Sequence, residues 1–251
     1  PCGFFLIDKQ QQEELMKDES KGPDFGSESN TELIKFLEAG PPPVYLGWGS
    51  ILCNSPKWMV SLALNSLQHA GARGVLMGGW AHLDEEDVPD HLKEYCEKNV
   101  IFVSSAPHEW LFPQCACIVH HGGSGTTAAS VRSGRPTIIT PHFFDQFDFA
   151  DSVNTIGCGI GFKKFKKIKS SELGDAIKQC VNDKNIISKA KETGEKLRAE
   201  DGCENFCKIF DDWLVNGIAS GEWLKKHKAI MAKCQESWKL EQNKSSCCTI
   251  S

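Results

Sequence analysis

A glycine-rich turn between an apolar run and a small-residue segment constrains this chain more than any other feature. The residues from Ile118 to Ala129 read Ile-Val-His-His-Gly-Gly-Ser-Gly-Thr-Thr-Ala-Ala. The β-branched start favours a strand, the glycines favour a tight turn, and the segment after them favours a helix. The unpaired N–H groups and positive dipole end of a helix N-terminus bind phosphate well. The stretch therefore predicts a strand–turn–helix unit that holds a phosphate group.

Polar side chains on either side of this turn extend the predicted site. His121 ends the first strand, and a second apolar run, residues 137–140, predicts a strand that delivers Asp145 and Gln146 to the same sheet edge. A carboxylate and an amide can hold sugar hydroxyls by hydrogen bonds. The local pattern thus predicts a clamp for a nucleotide sugar. Hydroxyl donors at the turn are Ser124, Thr126 and Thr127.

Apolar runs alternate with segments of helical periodicity along most of the chain. Strands are predicted at residues 44–48, 74–77, 100–103, 117–120, 137–140 and 159–162. Helices are predicted at 31–39, 56–70, 89–97 and 108–111, after Gly123, Asp145 and Ser170, and at 185–199, 204–215 and 222–240. This order predicts an α/β fold, a Rossmann-like parallel sheet of about six strands with helices on both faces and extra C-terminal helices. Ligands of such sheets bind beyond the carboxyl ends of the strands, where the glycine turn falls.

Three sequence blocks together resemble a known family. They are PVYLGWGS at residues 43–50, APHEWLF at 106–112, and HHGGSGTTAASVRSGRPTIITP followed by Asp145-Gln146. They resemble the sugar-donor-binding signature of the GT-B, UDP-sugar-dependent glycosyltransferases, and look most like the sterol 3-β-glucosyltransferase branch. The resemblance spans residues 43 to 162 and implies that this chain is the C-terminal half of a GT-B fold.

The resemblance also implies a role for each matching residue. The base and ribose of the sugar donor would lie against Ser105, Ala106 and His108, and the donor sugar against Asp145 and Gln146. Ser105 stands where plant small-molecule glucosyltransferases have a tryptophan that stacks on uracil, which favours the lipid-type branch. The residues expected at the diphosphate are Ser50, His121, Gly123, Ser124, Gly125 and Thr126.

Each of these residues also has a structural alternative. Ser50 can belong to a plain turn, and His121 can be a core histidine. Asp145 can cap a helix N-terminus while it also binds sugar. His120 should point to the opposite side of the strand from its neighbour, where it would either pack in the core or support the residues that contact the ligand. Trp110 could stack on a ligand, but it is expected in the core because it lies on a short helix followed by Leu111 and Phe112.

By resemblance, the reaction is an inverting transfer in which an acceptor hydroxyl attacks the anomeric carbon and UDP leaves. His121 and the backbone N–H groups around Gly123 to Thr126 would stabilise the leaving charge, with no metal or other cofactor. In this family the general base belongs to an N-terminal acceptor domain, for which the sequence shows no counterpart. We therefore expect no catalytic residue in this chain, and binding of UDP-glucose without efficient turnover. The His142-Phe143-Phe144 segment departs from the sterol-type pattern. A sterol acceptor is therefore expected only from the resemblance to the sterol 3-β-glucosyltransferase branch as a whole.

Composition excludes several other classes. The 251 residues are 40% hydrophobic and 24% charged, with a net charge of −5, which gives no reason to expect nucleic acid. No stretch approaches the roughly 20 apolar residues of a membrane span, and the first residues lack a signal pattern. Twelve cysteines are expected to be reduced in the cytosol. Cys115/Cys117 and Cys203/Cys207 match no zinc pattern, so both pairs are predicted to be buried apolar residues.

The chain is predicted to divide into three regions. Residues 1–30 form a linker or N-terminal extension, 31–216 the UDP-sugar-binding domain, and 217–251 a helix and tail. An apolar run at residues 4–7 with no element before it indicates that the chain begins within something larger.

Two features suggest a membrane surface. Lysines 163, 164, 166, 167 and 169 interleave with apolar residues, a pattern that fits either a solvated loop face or contact with anionic lipid. The ending Cys248-Thr-Ile-Ser matches a prenylation box of the farnesyl type, and Cys247 is a palmitoylation candidate, although a chance ending remains the alternative. The predicted location is cytoplasmic, with peripheral membrane contact through this anchor.

Three functions compete at this point. The first is a UDP-glucose-dependent sterol glucosyltransferase whose sterol or other lipid acceptor is held by an N-terminal domain or a partner chain. The second is the sugar-donor subunit of a split UDP-N-acetylglucosamine transferase acting on a lipid-linked acceptor. The third is a non-catalytic nucleotide-sugar binding module. The Phe-Phe-Asp-Gln ending and the APHEWLF block favour the first.

Overall fold

Six parallel strands form the central sheet in a computed structural model that describes residues 2–5, 28–51 and 53–246. Their order across the sheet is β3-β2-β1-β4-β5-β6, and every neighbouring pair is parallel. Chain order reverses between β1 and β4, so a crevice opens beyond the carboxyl ends of these two strands. The strands are β1 Val44–Gly47, β2 Gly74–Met77, β3 Val100–Val103, β4 Cys117–His120, β5 Thr137–Ile139 and β6 Gly159–Gly161.

Helices connect the strands and continue after the last one. The α-helices are α1 Glu28–Glu38, α2 Pro56–Ala70, α3 Lys93–Asn99, α4 His108–Leu111, α5 Ser124–Arg132, α6 Gln146–Ile156, α7 Ser170–Asn182, α8 Lys184–Arg198, α9 Gly202–Asp212 and α10 Glu222–Ser246.

Helix α2 shows how local sequence fixes the boundaries of these elements. The Ser55 side chain accepts a hydrogen bond from the Trp58 N–H, and Pro56 occupies the first turn, where a missing N–H costs nothing. At the other end, Gly71 adopts the left-handed conformation with φ of 65° and donates to the Gln68 carbonyl.

Both faces of the sheet are buried, because successive strand residues point to opposite sides. Val44 and Leu46 belong to one hydrophobic cluster with helices α2 and α7, whereas Tyr45 belongs to another with Leu33 of α1 and Phe112. This arrangement confirms the predicted α/β fold with helices on both faces of a parallel sheet.

The chain forms two compact units. One contains residues 6–200, and the other contains residues 1–5 with 201–251. Besides residues 2–5, the second unit contains α9, a π-helix over Trp213–Ala219, and α10. In the described part of the chain, none of the helices is long and apolar enough to cross a membrane. The domain bounds predicted from the sequence stay a prediction.

Several local predictions need correction. Residues 89–97 were predicted as one helix, but a 3-10 turn at Asp90–Leu92 precedes α3, because Pro89 holds an extended conformation with ψ of 141°. Cys115 and Cys117 are buried, as predicted, whereas Cys203 and Cys207 are exposed on α9. The prediction that the latter pair is buried was wrong because a spacing of four puts both thiols on one face of a helix, here the solvent face.

Candidate functional site

The N-terminus of α5 lies at the crevice between β1 and β4. Gly123 occupies the N-cap position with no side chain to cap the helix, and the first turn carries no acidic residue. Ser124 and Gly125 are exposed to solvent. The first backbone N–H groups and the positive end of the helix dipole are therefore open to an anion.

The His121 side chain lies beside this helix end. Glycine residues flank its imidazole, since a Cβ atom added at Gly123 would lie 2.5 Å from Nε2 and one added at Gly49 would lie 3.1 Å from Cε1. Nδ1 is buried and, within the described residues, has no hydrogen-bond partner. Burial lowers the pKa of His121, and the nearby Asp145 carboxylate partly offsets this effect. The His121 ring thus lies between Gly49 and the start of α5, with one buried nitrogen that pairs with no described residue.

The preceding residue, His120, is fully buried. Its Nδ1 accepts a hydrogen bond of 3.0 Å from the Gly122 N–H, so this side chain holds the glycine turn in place. Its ring is perpendicular to the His121 ring, with centroids 6.3 Å apart. Burial, together with the neighbouring histidines, lowers its pKa well below the ordinary value. His120 therefore packs and supports the turn.

Trp48 and Thr140 join the ends of three strands. The buried Trp48 indole N–H donates to Thr140 Oγ1 at 3.0 Å, and the Thr140 hydroxyl in turn donates to the His120 carbonyl at 3.2 Å. The Trp48 ring also stacks on Phe165 at 5.2 Å. These contacts connect β1, β4 and β5 beneath the site. Ser50 follows in the β1 turn, exposed to solvent.

The residues predicted to face the base and ribose follow β3. Ser105 and Ala106 are partly buried in the loop before α4. The His108 Nε2 lies 3.4 Å from the Tyr45 hydroxyl, and its ring stacks on Phe112 with centroids 4.4 Å apart. Burial lowers the pKa of His108 to about 4. Its ring thus packs against two aromatic residues at the base of this loop.

Asp145 and Gln146 follow β5 as predicted, but their surroundings differ. Asp145 is exposed and occupies the N-cap position of α6 without a capping hydrogen bond from its side chain. Gln146 is 4% exposed, and its Oε1 accepts hydrogen bonds from the N–H groups of His142 at 2.8 Å and Phe143 at 3.1 Å. The carboxylate is therefore free for a ligand, whereas the amide oxygen already orders the loop before α6.

The three hydroxyls predicted at the glycine turn separate into two kinds. Ser124 is exposed and Thr126 is partly exposed at the start of α5. Thr127 is buried, and its hydroxyl donates to the Gly123 carbonyl at 2.9 Å. Thr127 thus supports the turn and does not face the crevice.

Sequence reasoning missed Trp80 at this edge of the sheet. Its side chain is 76% exposed, in a 3-10 turn that directly follows β2. The signal was available, because the pair Gly78-Gly79 after an apolar strand predicts a tight turn that presents the next side chain.

Two further predictions concern metal and lipid. Over residues 2–5, 28–51 and 53–246, His, Cys, Asp and Glu side chains form no group of three or more that could hold a metal ion. The lipidation candidates Cys247 and Cys248 lie outside the described residues.

Comparison with known families agrees with the motif analysis. The profile of the erythromycin biosynthesis protein CIII-like C-terminal domain matches residues 80–207. A sterol 3-beta-glucosyltransferase of Debaryomyces hansenii is 36% identical over 194 residues, which are 75% of this chain and 12% of that protein. Sterol 3-beta-glucosyltransferase UGT80A2 of Arabidopsis thaliana is 35% identical over 183 residues, 73% of this chain and 28% of the relative. The chain therefore spans a small part of these relatives.

Solved structures share the fold. Os79 from O. sativa, in complex with UDP, superposes with a TM-score of 0.59 at 18% identity, over 72% of this chain and 43% of Os79. The glycotransferase of kitacinnamycin gives a TM-score of 0.53 at 24% identity, over 64% of this chain and 40% of that one. The resemblance inferred from the sequence blocks is confirmed at the level of family and fold.

Proposed function

Because the chain belongs to the erythromycin biosynthesis protein CIII-like C-terminal domain family and has a GT-B glycosyltransferase fold, we propose that it binds the sugar donor of an inverting, UDP-glucose-dependent glycosyltransferase. One observation carries the proposal. The His121 ring lies beside the uncapped N-terminus of α5, with Nε2 2.5 Å from a Cβ atom added at Gly123, and its buried Nδ1 has no hydrogen-bond partner among the residues that the structure describes. A diphosphate would satisfy both the imidazole and the first backbone N–H groups of the helix.

The remaining crevice residues extend this assignment along the ligand. Ser50, Gly123, Ser124, Gly125 and Thr126 contact the diphosphate. The base and ribose lie at Ser105, Ala106 and His108. Asp145, which is exposed and makes no capping hydrogen bond, accepts hydrogen bonds from the donor sugar, and the Gln146 amide N–H₂ group assists it.

During transfer, negative charge develops on the departing UDP. The α5 dipole and backbone N–H groups stabilise that charge, and the His121 imidazole donates a hydrogen bond to it. These groups are fixed before the reaction, and we propose that they stabilise the leaving charge without a metal ion. A group outside this chain, on an N-terminal acceptor domain or a partner chain, deprotonates the acceptor hydroxyl.

The acceptor is a sterol or another lipid. The support is the name that the Debaryomyces hansenii and Arabidopsis thaliana relatives share, sterol 3-beta-glucosyltransferase. This chain spans 12% and 28% of those two proteins, so the acceptor assignment rests on the relatives as whole enzymes.

A lysine cluster gives the domain a peripheral contact with membranes. Lysines 163, 164, 166, 167 and 169 are exposed after β6, and each lysine near an anionic surface contributes about 1 kcal/mol. The cluster adjoins the loop before α6, because the Phe165 N–H donates to the Pro141 carbonyl at 2.9 Å. Phe144 in that loop is 84% exposed and available to insert among lipid headgroups.

Vesicle sedimentation tests this contact. Lys164→Glu with Lys166→Glu should reduce binding to vesicles that contain anionic lipid, but not to neutral vesicles. The matched control, Lys184→Glu with Lys191→Glu, makes the same charge change at exposed positions of α8. Equal loss in both double variants would show that only net charge matters.

Calorimetric titration tests the nucleotide-sugar site itself. UDP-glucose should bind, and His121→Ala should weaken binding by about 1.5 to 3 kcal/mol, the loss expected for a hydrogen bond to a charged group. His91→Ala, at an exposed histidine, should leave the affinity unchanged. Equal affinity for UDP-glucose in wild type and His121→Ala would refute the site.

Two further measurements separate the alternatives. Tighter binding of UDP-N-acetylglucosamine than of UDP-glucose would favour the split transferase acting on a lipid-linked acceptor, because its pocket must hold the acetamido group. Transfer of glucose once an acceptor domain is supplied would support the enzyme. Sugar-donor binding without transfer in that mixture would favour a non-catalytic binding module.

A further inference from the structure

An indole ring stands in solvent at the ligand-binding edge of the sheet. Trp80, directly after β2, is 76% exposed. Trp usually buries most of its large apolar surface. An exposed ring at the carboxyl ends of parallel strands, where ligands of such sheets bind, is therefore available to cover an apolar ligand surface.

Backbone hydrogen bonds hold the turn that carries this ring. The Gly78 N–H donates to the Val103 carbonyl at the end of β3, and the Trp80 N–H donates to the Gly49 carbonyl after β1, each at 2.9 Å. Gly79 has φ of +57°, and a Cβ atom there would lie 2.6 Å from the Gly49 oxygen. The turn is thus fixed at both sides, and its position requires glycine.

These contacts place Trp80 between two parts of the proposed ligand site. Val103 directly precedes the loop that contains Ser105 and Ala106, where the base and ribose lie in the proposal. Gly49 abuts His121, which contacts the diphosphate. The strand order β3-β2-β1-β4 spans roughly 14 Å at about 4.8 Å per strand, so a nucleoside diphosphate bound along this edge passes the β2 turn.

We propose that the Trp80 indole stacks on the nucleobase of the sugar donor. The inference rests on the function proposed above. It adds a residue that binds the nucleobase part of the ligand. Every nucleobase offers an aromatic face, and stacking on an indole requires no hydrogen-bond partner. The sugar of the ligand would lie near Asp145 and Gln146, which follow β5. In the sheet order, β1 and β4 separate β5 from β2, so Trp80 would contact the base and not the sugar.

Titration of variants with UDP and with inorganic pyrophosphate, which has no base, tests the proposal. Trp80→Ala should raise the Kd for UDP about tenfold, or about 1.4 kcal/mol, which is within the usual range for loss of base–aromatic stacking. The Kd for pyrophosphate should not change, and Trp80→Phe should recover most of the UDP affinity. Trp238→Ala removes another exposed indole, 63% exposed on α10, and should alter neither Kd. Circular dichroism verifies that each variant is folded.

Other outcomes would overturn the inference. An unchanged Kd for UDP in Trp80→Ala would show that the ring does not touch the nucleotide. An equal loss of UDP and pyrophosphate affinity would show that the substitution damages the turn at Gly49, and no gain in Trp80→Phe over Trp80→Ala would exclude stacking. Failure of the wild-type chain to bind UDP would instead refute the function proposed above. His121→Ala distinguishes the diphosphate contact from the base contact of Trp80, because it should weaken the binding of both UDP and pyrophosphate.

Discussion

The backbone of Gly49 lies against the ring of His121, so closely that a Cβ atom at this glycine would be 3.1 Å from Cε1. The turn after β1 therefore fixes the orientation of an imidazole that follows β4. Since these two strands are neighbours at the reversal of the sheet order, the contact couples the two sides of the crevice.

A methyl group at Gly49 should disturb this contact. Gly49→Ala is expected to destabilise the fold by about 1 kcal/mol because φ is +55°, and to weaken UDP binding at least about fivefold, or about 1 kcal/mol, because the imidazole must move. Gly71→Ala is the control, with φ of +65° and open space around the added Cβ atom. Chemical denaturation and calorimetry should show similar stability losses for both variants, but weaker binding only for Gly49→Ala. Similar binding losses would argue against the role of this contact.

Adjacent threonines on α5 should separate binding from stability. Thr127 is buried and donates to the Gly123 carbonyl, so Thr127→Val should cost about 1 kcal/mol of unfolding free energy. Thr126 is partly exposed at the helix start, so Thr126→Val should weaken UDP binding and leave stability nearly unchanged. Denaturation and titration of both variants measure this difference. If Thr127→Val weakened UDP binding and Thr126→Val lowered stability, the proposed roles of the two hydroxyls would be wrong.

Gln146 should matter mainly through the loop it orders. In Gln146→Leu, the N–H groups of His142 and Phe143 lose their shared acceptor, and the expected loss is about 2 kcal/mol of unfolding free energy. Gln179→Leu, at an exposed position of α7, should change stability by less than about 0.5 kcal/mol. If the two variants were equally stable, the hydrogen bonds from Gln146 would be of little importance.

His108 should make stability fall in acid. Its pKa is about 4 in the folded chain, against an ordinary value of 6.5. Between these values the unfolded chain binds more protons, so stability rises with pH and is lost as the pH falls from 6.5 towards 4. The two values imply a loss of about 3 kcal/mol at the acid end.

Denaturation at several pH values measures this effect. His108→Phe keeps a ring against Phe112 and should flatten the fall in stability between pH 6.5 and 4 relative to wild type. His91→Phe, at an exposed histidine, should retain the wild-type slope. An unchanged slope in His108→Phe would mean that other groups cause the acid sensitivity.

Periodicity and turn chemistry sufficed to predict the architecture. All six strands were predicted where they occur. The predictions 74–77, 100–103 and 117–120 match β2, β3 and β4 in full, and those for β1, β5 and β6 run one residue further, as with 44–48 for Val44–Gly47. Buried parallel strands are short and all apolar, and glycine or proline marks their ends, so the pattern is strong. The same reasoning did not anticipate the 3-10 turn before α3 or the π-helix at Trp213–Ala219, which differ from an α-helix only in hydrogen-bond register.

Side-chain environment was harder to predict than position. Asp145 and Gln146 are adjacent in sequence, yet one is exposed and the other is buried with its oxygen paired to the backbone. Thr126 and Thr127 differ in the same way. Neighbouring residues on a helix point about 100° apart, so which of two polar residues reaches a ligand depends on the packing of the helix against the sheet.

The hydrogen bonds from Trp48 to Thr140 and from Thr140 to the His120 carbonyl give the crevice a stiff floor. Because these hydrogen bonds already order the protein backbone, ligand binding should remove little further backbone entropy. The conformational entropy lost on binding should come mainly from the ligand and from exposed side chains. Discrimination among nucleotide sugars should therefore depend on the exposed side chains at the two ends of the crevice, Trp80 and Asp145.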